Sequence, residues 1–325
     1  MTRQTVLVIG ASGFIGRRIV RQLAASQWAR PIAASRRAAP AGYDDPVDTI
    51  RLDATNSKDL TRALADADAV ISCVAGDAPD ILDSGRALIQ AAAQRSPPSR
   101  LVWLSSLAAY GSATGAVDEQ APLLGDLGPY SAAKAAIDAL AAQFPFITRL
   151  RPGIVYGPES PWWSDRIARL LVARRLGDLG GGGAGACNLV HVEDVAAAAI
   201  RCLELPEAGG EAFNLGSPSP PSWNEYFRLY AQALGSSPVR RVSRARLAFE
   251  LRVAGPALKV AEKAFPRWQL LASRPAVRPW LTTLCRHDIR MSVAKAERLL
   301  GMRWRPLEDG LAQTAKWFLE GGRSS

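Results

Sequence analysis

The segment TVLVIGASGFIGRRIVRQLAAS, residues 5–26, decides the fold because it joins a strand, a tight turn and a helix. Residues 5–10 are largely apolar, and the apolar positions of residues 13–26 recur at helical spacing. Gly10 permits the turn, Gly13 lets the backbone approach a pyrophosphate, and Gly16 allows the helix to pack closely on the strand. We therefore predict a dinucleotide-binding βαβ unit at the start of the chain.

Short apolar runs continue to alternate with helical patterns as far as residue 157. Further strands are predicted at residues 30–35, 48–54, 68–76, 99–107 and 146–157. Helices are predicted between them at residues 57–66, 80–95 and 130–144. This alternation predicts an α/β fold with a Rossmann, doubly wound parallel sheet, whose ligands bind at the carboxyl ends of the strands.

The pattern changes after Pro158. A helix is predicted over 161–176, and residues 187–205 read as a strand and a helix that return to the sheet. Further helices are predicted near residues 223–234, 244–264, 291–300 and 307–320. We predict a dinucleotide-binding domain over residues 1–157 and a smaller, mainly helical substrate-binding cap over residues 158–325.

Composition narrows the function class. The chain has 325 residues, of which 48% are hydrophobic and 22% charged, as in a soluble globular protein. The four cysteines are scattered and there are two histidines, so neither a disulfide framework nor a metal site is expected. No signal peptide or membrane span is predicted, and a cytoplasmic location is the expectation. The net charge of +10 is concentrated in residues 239–305, which hold sixteen Lys or Arg and four Asp or Glu.

The position about 20 residues after Gly16 selects the cofactor, because it contacts the adenosine ribose. It is occupied by Arg36, which is followed by Arg37, and no acid lies between Gly16 and Asp44. An arginine here pairs with a 2′-phosphate, whereas NAD enzymes place an acid. We predict that NADP(H) is preferred and that NAD(H) is the second choice.

The stretch GPYSAAKAA, residues 128–136, places Tyr130 and Lys134 one helical turn apart. A free tyrosine has a pKa near ~10, and a nearby ammonium favours the phenolate. We therefore expect Lys134, together with an oxidised nicotinamide when one is present, to lower the pKa of Tyr130 so that it can transfer protons.

The motifs GASGFIG, WLSSLAAYG, YSAAK, LRPGIVYGP, VHVEDVA and FNLGS occur in the order seen in extended short-chain dehydrogenases/reductases, the NAD-dependent epimerase/dehydratase-like family. The chain resembles this family from residue 5 to about residue 217. The resemblance implies that Tyr130 is the catalytic acid/base, Lys134 its partner, and Ser106 the third catalytic residue. It also implies a set of cofactor-binding residues: Gly10, Ser12, Gly13, Phe14, Ile15, Gly16, Arg36, Arg37, Asp53, Ala54, Val74, Ala75, Gly76, Tyr130, Lys134, Pro152, Gly153, Ile154 and Val155.

Two departures from the family's nucleotide-sugar branch bear on the substrate. Many of those enzymes have an asparagine near the YGP turn and an arginine four residues before the histidine of VHV. The latter position is Cys187 here, which removes bidentate phosphate recognition. Ser106, Trp162 and Trp163 are the predicted substrate contacts, and an apolar substrate such as a steroid, flavonoid or lipid is favoured.

The sequence thus favours an NADP(H)-dependent oxidoreductase that transfers hydride between the nicotinamide and a ketone, an aldehyde or a secondary alcohol. Two alternatives stay open: a nucleotide-sugar epimerase or dehydratase using the same site, and a non-catalytic, cofactor-sensing protein. The basic segment 240–265 is interpreted either as a solvated face or as a contact for an anionic substrate or a membrane surface. A homodimer is a further hypothesis, and no nucleic acid partner is expected.

Overall fold

The computed structural model describes residues 3–36, 47–254 and 277–322. Its eleven strands are β1 (Gln4–Ile9), β2 (Ala29–Ser35), β3 (Asp48–Arg51), β4 (Ala69–Ser72), β5 (Arg100–Leu104), β6 (Gly115–Val117), β7 (Ile147–Pro152), β8 (Ile154–Tyr156), β9 (Leu189–His191), β10 (Ala212–Leu215) and β11 (Ile289–Met291). Seven of them form one parallel sheet in the order β3-β2-β1-β4-β5-β7-β10. The remaining four form two small parallel pairs, β6 with β11 and β8 with β9.

The described α-helices are α1 (Phe14–Ala25), α2 (Ser57–Ala65), α3 (Ala78–Ala93), α4 (Pro129–Ala141), α5 (Arg166–Val172), α6 (Val192–Glu204), α7 (Trp223–Ala233), α8 (Arg244–Phe249), α9 (Pro279–Leu284), α10 (Ala294–Leu300) and α11 (Leu307–Leu319). Helices α1 and α6 cover one face of the large sheet, and α2, α3 and α4 cover the other. The predicted doubly wound parallel sheet is therefore confirmed.

Strand β1 shows why the sheet is buried on both faces. Val6 and Val8 point into the core beneath α1 and α6, whereas Leu7 and Ile9 point into the opposite core beneath α2 and α3. All four are at most 2% exposed. A strand covered on both faces must be apolar at every position, which is the continuous pattern seen in the sequence.

The cap has a separate core, which joins β8 and β9 to α5, α7, α9 and α11. Aromatic residues dominate α7, where Trp223, Tyr226 and Tyr230 are at most 1% exposed. Helix α10 differs from the rest of the C-terminal part, because Ala296 and Leu300 pack into the core of the large sheet.

Several predicted boundaries differ from the structure. The strand predicted within residues 187–205 does not return to the large sheet, because β9 pairs with β8 instead. The helix of that segment, α6, does pack on the large sheet beside α1, and β10 is the strand that extends the sheet. The helix predicted over 161–176 consists of a π-helical turn, Pro161–Asp165, and α5. A π-helical turn, Glu250–Ala254, also follows α8, and the rest of the helix predicted over 244–264 lies outside the described residues. Among the helices of the described residues, none has the length and apolarity to cross a membrane.

Candidate functional site

The turn between β1 and α1 forms the first part of the site. Gly10 has φ of +80°, and a Cβ there would lie 2.9 Å from the carbonyl oxygen of Cys73, which directly follows the neighbouring strand β4. A Cβ on Gly16 would lie 2.3 Å from the Gly10 carbonyl oxygen, so helix and turn pack without side chains between them. No side chain of the described residues caps α1 at Gly13, and its first turn contains no acid. The amides of Gly10, Ala11 and Gly13 donate to backbone carbonyls, so it is the amides at the start of α1 that can receive an anion such as a pyrophosphate.

A cavity of about 260 Å³ opens beside this turn at the carboxyl ends of β1, β2 and β4. It brings together eight of the residues predicted to bind the cofactor: Gly10, Ser12, Gly13, Arg36, Asp53, Ala54, Val74 and Ala75. The cavity is not lined by four other predicted residues, Phe14, Ile15, Gly16 and Gly76. Gly76 is nevertheless adjacent to it, because a Cβ there would lie 2.8 Å from Oδ2 of the lining residue Asp80. Arg37 lies outside the described residues.

Arg36 and Asp80 face each other across this cavity. The guanidinium Nη1 lies 3.2 Å from Asp80 Oδ2, and the Arg36 side chain is 61% exposed. On the same wall, Asp53 accepts hydrogen bonds from the backbone amide and the hydroxyl of Thr55, at 3.0 and 2.8 Å. These bonds lower the pKa of Asp53, and the charge of Arg36 adds to the effect. Sequence reasoning missed Asp80, because only the tertiary fold brings the start of α3 opposite the end of β2.

Ser106, Tyr130 and Lys134 come together at the carboxyl end of β5. Gly128, at φ +99°, and Pro129 start α4, and the Ser131 hydroxyl donates to the Ala108 carbonyl at 2.6 Å. This contact ties the first turn of α4 to the turn that holds Ser106, whose side chain interacts with the Tyr130 phenol.

Lys134 is 3% exposed, and its ammonium donates to the Leu104 carbonyl at 2.8 Å. The same ammonium lies 5.9 Å from the centre of the Tyr130 ring. Burial lowers the pKa of Lys134 to about 8, and the charge of Asp138 opposes this shift only in part.

The pKa of Tyr130 is raised, which is opposite to the direction expected from the sequence. Burial of the phenol raises it, and the interaction with Ser106 opposes that shift only in part. Tyr130 is 44% exposed as a whole residue, whereas the pKa responds to the surroundings of its hydroxyl. The expectation was wrong because the Lys134 ammonium is directed at the Leu104 carbonyl, so burial dominates.

Residues Pro152, Gly153, Ile154 and Val155 run from β7 into β8. A Cβ on Gly153 would lie 2.1 Å from the Asn188 carbonyl oxygen, so only glycine fits where the chain passes β9. The Ile154 amide donates to that same oxygen at 2.7 Å. This segment therefore lies at the carboxyl end of β7, next in the sheet to β5 and Ser106.

The predicted substrate residues Trp162 and Trp163 follow β8 in the cap. Trp280 lies 6.4 Å from Trp162 and 5.5 Å from Trp163 between ring centres. Arg166 and Arg278 each lie 6.0 Å from the Trp162 ring, which is 49% exposed as a residue. The result is an aromatic surface with cationic edges.

Two further polar groups are internal to the fold. His191 is 1% exposed, and its Nδ1 accepts from the Glu193 amide at 3.3 Å as the N-cap of α6. Burial, with the charges of Arg305 and Arg18, lowers the pKa of His191 to about 4. His191 therefore caps α6 as a neutral side chain.

A buried ion pair that was not predicted from the sequence links α4 to β7. Asp138, one turn after Lys134, is 0% exposed. It accepts hydrogen bonds from Arg151 of β7 at 2.8 and 2.9 Å. Arg151 also donates to the Tyr110 hydroxyl at 3.0 Å. The pair joins the helix of Tyr130 and Lys134 to the sheet.

The parallel sheet, the glycine turn and the Ser–Tyr–Lys group are the features of an extended short-chain dehydrogenase/reductase. The model of the NAD dependent epimerase/dehydratase family matches residues 6–216, and the chain belongs to this family.

Several individual proteins are similar to this chain, each at less than 30% sequence identity. A ceramide reductase of Caulobacter vibrioides is 27% identical over 98% of this chain and 96% of its own length. A 3-diazoavenalumate denitrifying reductase of Streptomyces sp is 26% identical over 72% of this chain and 83% of its own length. The structure of MoeE5 in complex with UDP-glucose and NAD is similar in fold, with a TM-score of 0.70 and 24% identity over 98% of this chain and 99% of that one.

Proposed function

We propose that the protein is an NADP(H)-dependent oxidoreductase that reduces a ketone or aldehyde on an apolar, lipid-like substrate. Residues 1–157 hold the cofactor in this proposal, and residues 158–325 cover the substrate. A homodimeric state and a cytoplasmic location are part of the proposal from the sequence alone.

The observation that carries the proposal is the group formed by Ser106, Tyr130 and Lys134. The Ser106 hydroxyl lies beside the Tyr130 phenol, where both can hydrogen-bond one carbonyl oxygen of a substrate. A raised pKa keeps Tyr130 protonated at neutral pH, and the protonated phenol is the form that donates a proton during reduction. The Lys134 ammonium then stabilises the phenolate that remains.

The start of α1 fits a dinucleotide, because it has no side-chain cap in the described residues and no acid in its first turn. When bound, NADPH supplies the hydride. Arg36 supports the choice of NADP(H), since its exposed guanidinium can pair with a 2′-phosphate at the mouth of the cavity. In this proposal Asp53, which lines the same cavity, accepts a hydrogen bond from the adenosine.

The cap favours an apolar substrate over a nucleotide sugar. Cys187, at the position where many nucleotide-sugar enzymes of the family have an arginine, is 0% exposed within the cap core. The neighbouring Asn188 side chain bonds the backbone of β11, donating to Ile289 at 2.7 Å and accepting from Met291 at 2.9 Å. Neither side chain can reach a diphosphate.

The names of the two relatives support a net reduction, and one of them is named for a lipid. Trp162 and Trp163 provide an aromatic surface that can pack against a hydrocarbon substrate. Transferring each CH₂ of such a substrate from water into an apolar site is favourable by about 0.8 kcal/mol.

The test is NADPH consumption by the purified protein, followed at the nicotinamide absorbance, with three substrate groups: long-chain lipid ketones, short water-soluble ketones and UDP-glucose. We expect steady consumption with the lipid ketones and slower consumption with the short ones. No consumption with any ketone, together with conversion of UDP-glucose at constant cofactor, would replace this proposal with the epimerase. Binding of NADPH without any turnover would replace it with the cofactor-sensing protein.

A further inference from the structure

The outer side of α8 and of the π-helical turn after it carries both apolar and basic side chains. Phe249 is 57% exposed and Val253, one turn later, is 51% exposed. Arg246 and Arg252 are also exposed, three residues before and three after Phe249. The segment therefore presents two apolar and two cationic side chains to solvent.

The inner side of the same segment is fixed in the cap. Leu247 packs against the cap core, and Glu250 is 7% exposed. Glu250 accepts from Nε of Arg175 at 3.0 Å, and Arg175 is itself 8% exposed. Glu250 is the one acid among residues 239–254, which contain five arginines. The acid is thus neutralised inside the cap, while Arg246 and Arg252 remain on the outer side.

The exposed surface continues onto the end of α5. Arg246 donates to the Arg174 carbonyl at 3.0 Å, which brings α8 beside this end of α5. Arg174 is exposed, and Val172 is 48% exposed. We define the docking face as these six residues: Val172, Arg174, Arg246, Phe249, Arg252 and Val253.

We propose that the docking face binds the surface of an anionic lipid bilayer. Phe249 and Val253 enter the boundary between headgroups and acyl chains, and the arginines pair with lipid phosphates. Charge complementarity selects this occupant, because the outward charges of the face are cationic and the surface potential of anionic bilayers is negative. The docking rests on the proposed function, since a long-chain lipid substrate stays in the bilayer and the enzyme must meet it there.

The docking is tested by flotation of the full-length protein with vesicles of phosphatidylcholine and with vesicles of equal parts phosphatidylcholine and phosphatidylglycerol. We expect binding to the anionic vesicles that weakens with added salt. Phe249→Ser/Val253→Ser should weaken this binding by about tenfold or more. Arg246→Gln/Arg252→Gln should weaken it by about fivefold for each arginine neutralised.

The matched controls are Leu319→Ser, which removes an apolar side chain that is 62% exposed, and Arg62→Gln, whose side chain is 81% exposed. Neither lies on the docking face, and both should bind anionic vesicles like the wild type. NADPH affinity, measured by titration in the absence of vesicles, should be equal in all variants, which shows that each one is folded.

Three results would overturn the docking: no binding of the wild type to anionic vesicles, unchanged binding of the docking-face variants, or equal losses in the controls. A wild-type oligomer that dissociates in Phe249→Ser/Val253→Ser would assign the face to a second copy of the chain instead. Reduction of a short water-soluble ketone separates the two proposals, because it tests the active site without a bilayer. If that reduction fails while the docking-face variants still lose vesicle binding, the proposed function is wrong and the docking stands.

Discussion

Replacing Arg36 and Asp80 separately and together tests the proposed selection of NADP(H). Two unit charges about 4 Å apart interact by about 1 kcal/mol in water and about 4 kcal/mol at the effective dielectric of a protein surface. The Arg36 side chain is 61% exposed, so a value of about 2 kcal/mol between these limits is appropriate. Arg36→Ala should therefore raise the Kd for NADPH by about 30-fold and leave the Kd for NADH within about twofold.

Asp80 should act in the opposite direction. Its carboxylate lies 3.2 Å from the Arg36 guanidinium, so it competes with a 2′-phosphate for the arginine and also repels it. Asp80→Asn should tighten NADPH by about fivefold, which corresponds to roughly 1 kcal/mol for an exposed ion pair. In the double variant, removal of Asp80 should have a smaller effect, because the competition for Arg36 no longer exists.

The assay is a fluorescence titration of each variant with NADPH and with NADH. Arg30→Ala is the matched control, because Arg30 lies on β2, the strand that Arg36 follows, and forms an exposed ion pair with Asp48 at 2.6 Å. It should leave both affinities unchanged. Equal losses of NADPH and NADH affinity in Arg36→Ala, or a weaker affinity for NADPH in Asp80→Asn, would refute the role of this pair.

Three other predictions concern α4 and the cap. Asp138→Ala leaves the buried guanidinium of Arg151 without its carboxylate partner and should lower the free energy of unfolding, measured by urea titration, by about 3–5 kcal/mol. The control Asp48→Ala breaks an exposed pair and should lower it by less than about 1 kcal/mol. Equal losses in the two variants would contradict the structural role of the buried pair. The rate of ketone reduction should fall as pH rises through about 8, where Lys134 loses its proton. Lys134→Arg should abolish this fall in rate, because a guanidinium does not lose its proton in that range. A fall that persists in Lys134→Arg would assign it to another group. Trp162→Ala should raise the KM for a lipid ketone by about tenfold without changing the affinity for NADPH, since only packing against the substrate is lost. An unchanged KM would show that Trp162 does not contact the substrate.

Much of the fold follows from local pattern. The run around Gly10 to Gly16 contains strand, turn and helix together, and the continuous apolar strands indicate a sheet covered on both faces. Tyr130 and Lys134 could be paired from the sequence because one helical turn fixes their relation. Such inferences succeed where neighbours in sequence are also neighbours in space.

The remaining features depend on contacts between distant segments. Asp80 meets Arg36 because β2 ends and α3 begins at the same edge of the sheet, and Trp280 meets Trp162 across the cap. The direction of the Tyr130 pKa depends on where the Lys134 ammonium points and how deeply the phenol is buried. Spacing in the sequence records neither burial nor side-chain direction, so these features became visible only in the folded chain.

The central claim is that Tyr130 delivers a proton to a carbonyl oxygen, and Tyr130→Phe tests it most directly. This change removes one hydroxyl and keeps the ring, so the cofactor cavity should be undisturbed. We predict that the rate of NADPH-dependent ketone reduction falls by about a thousandfold, while the Kd for NADPH, measured by titration of the same preparation, changes by less than about twofold. A variant that binds NADPH normally and retains the wild-type rate of reduction would contradict the claim.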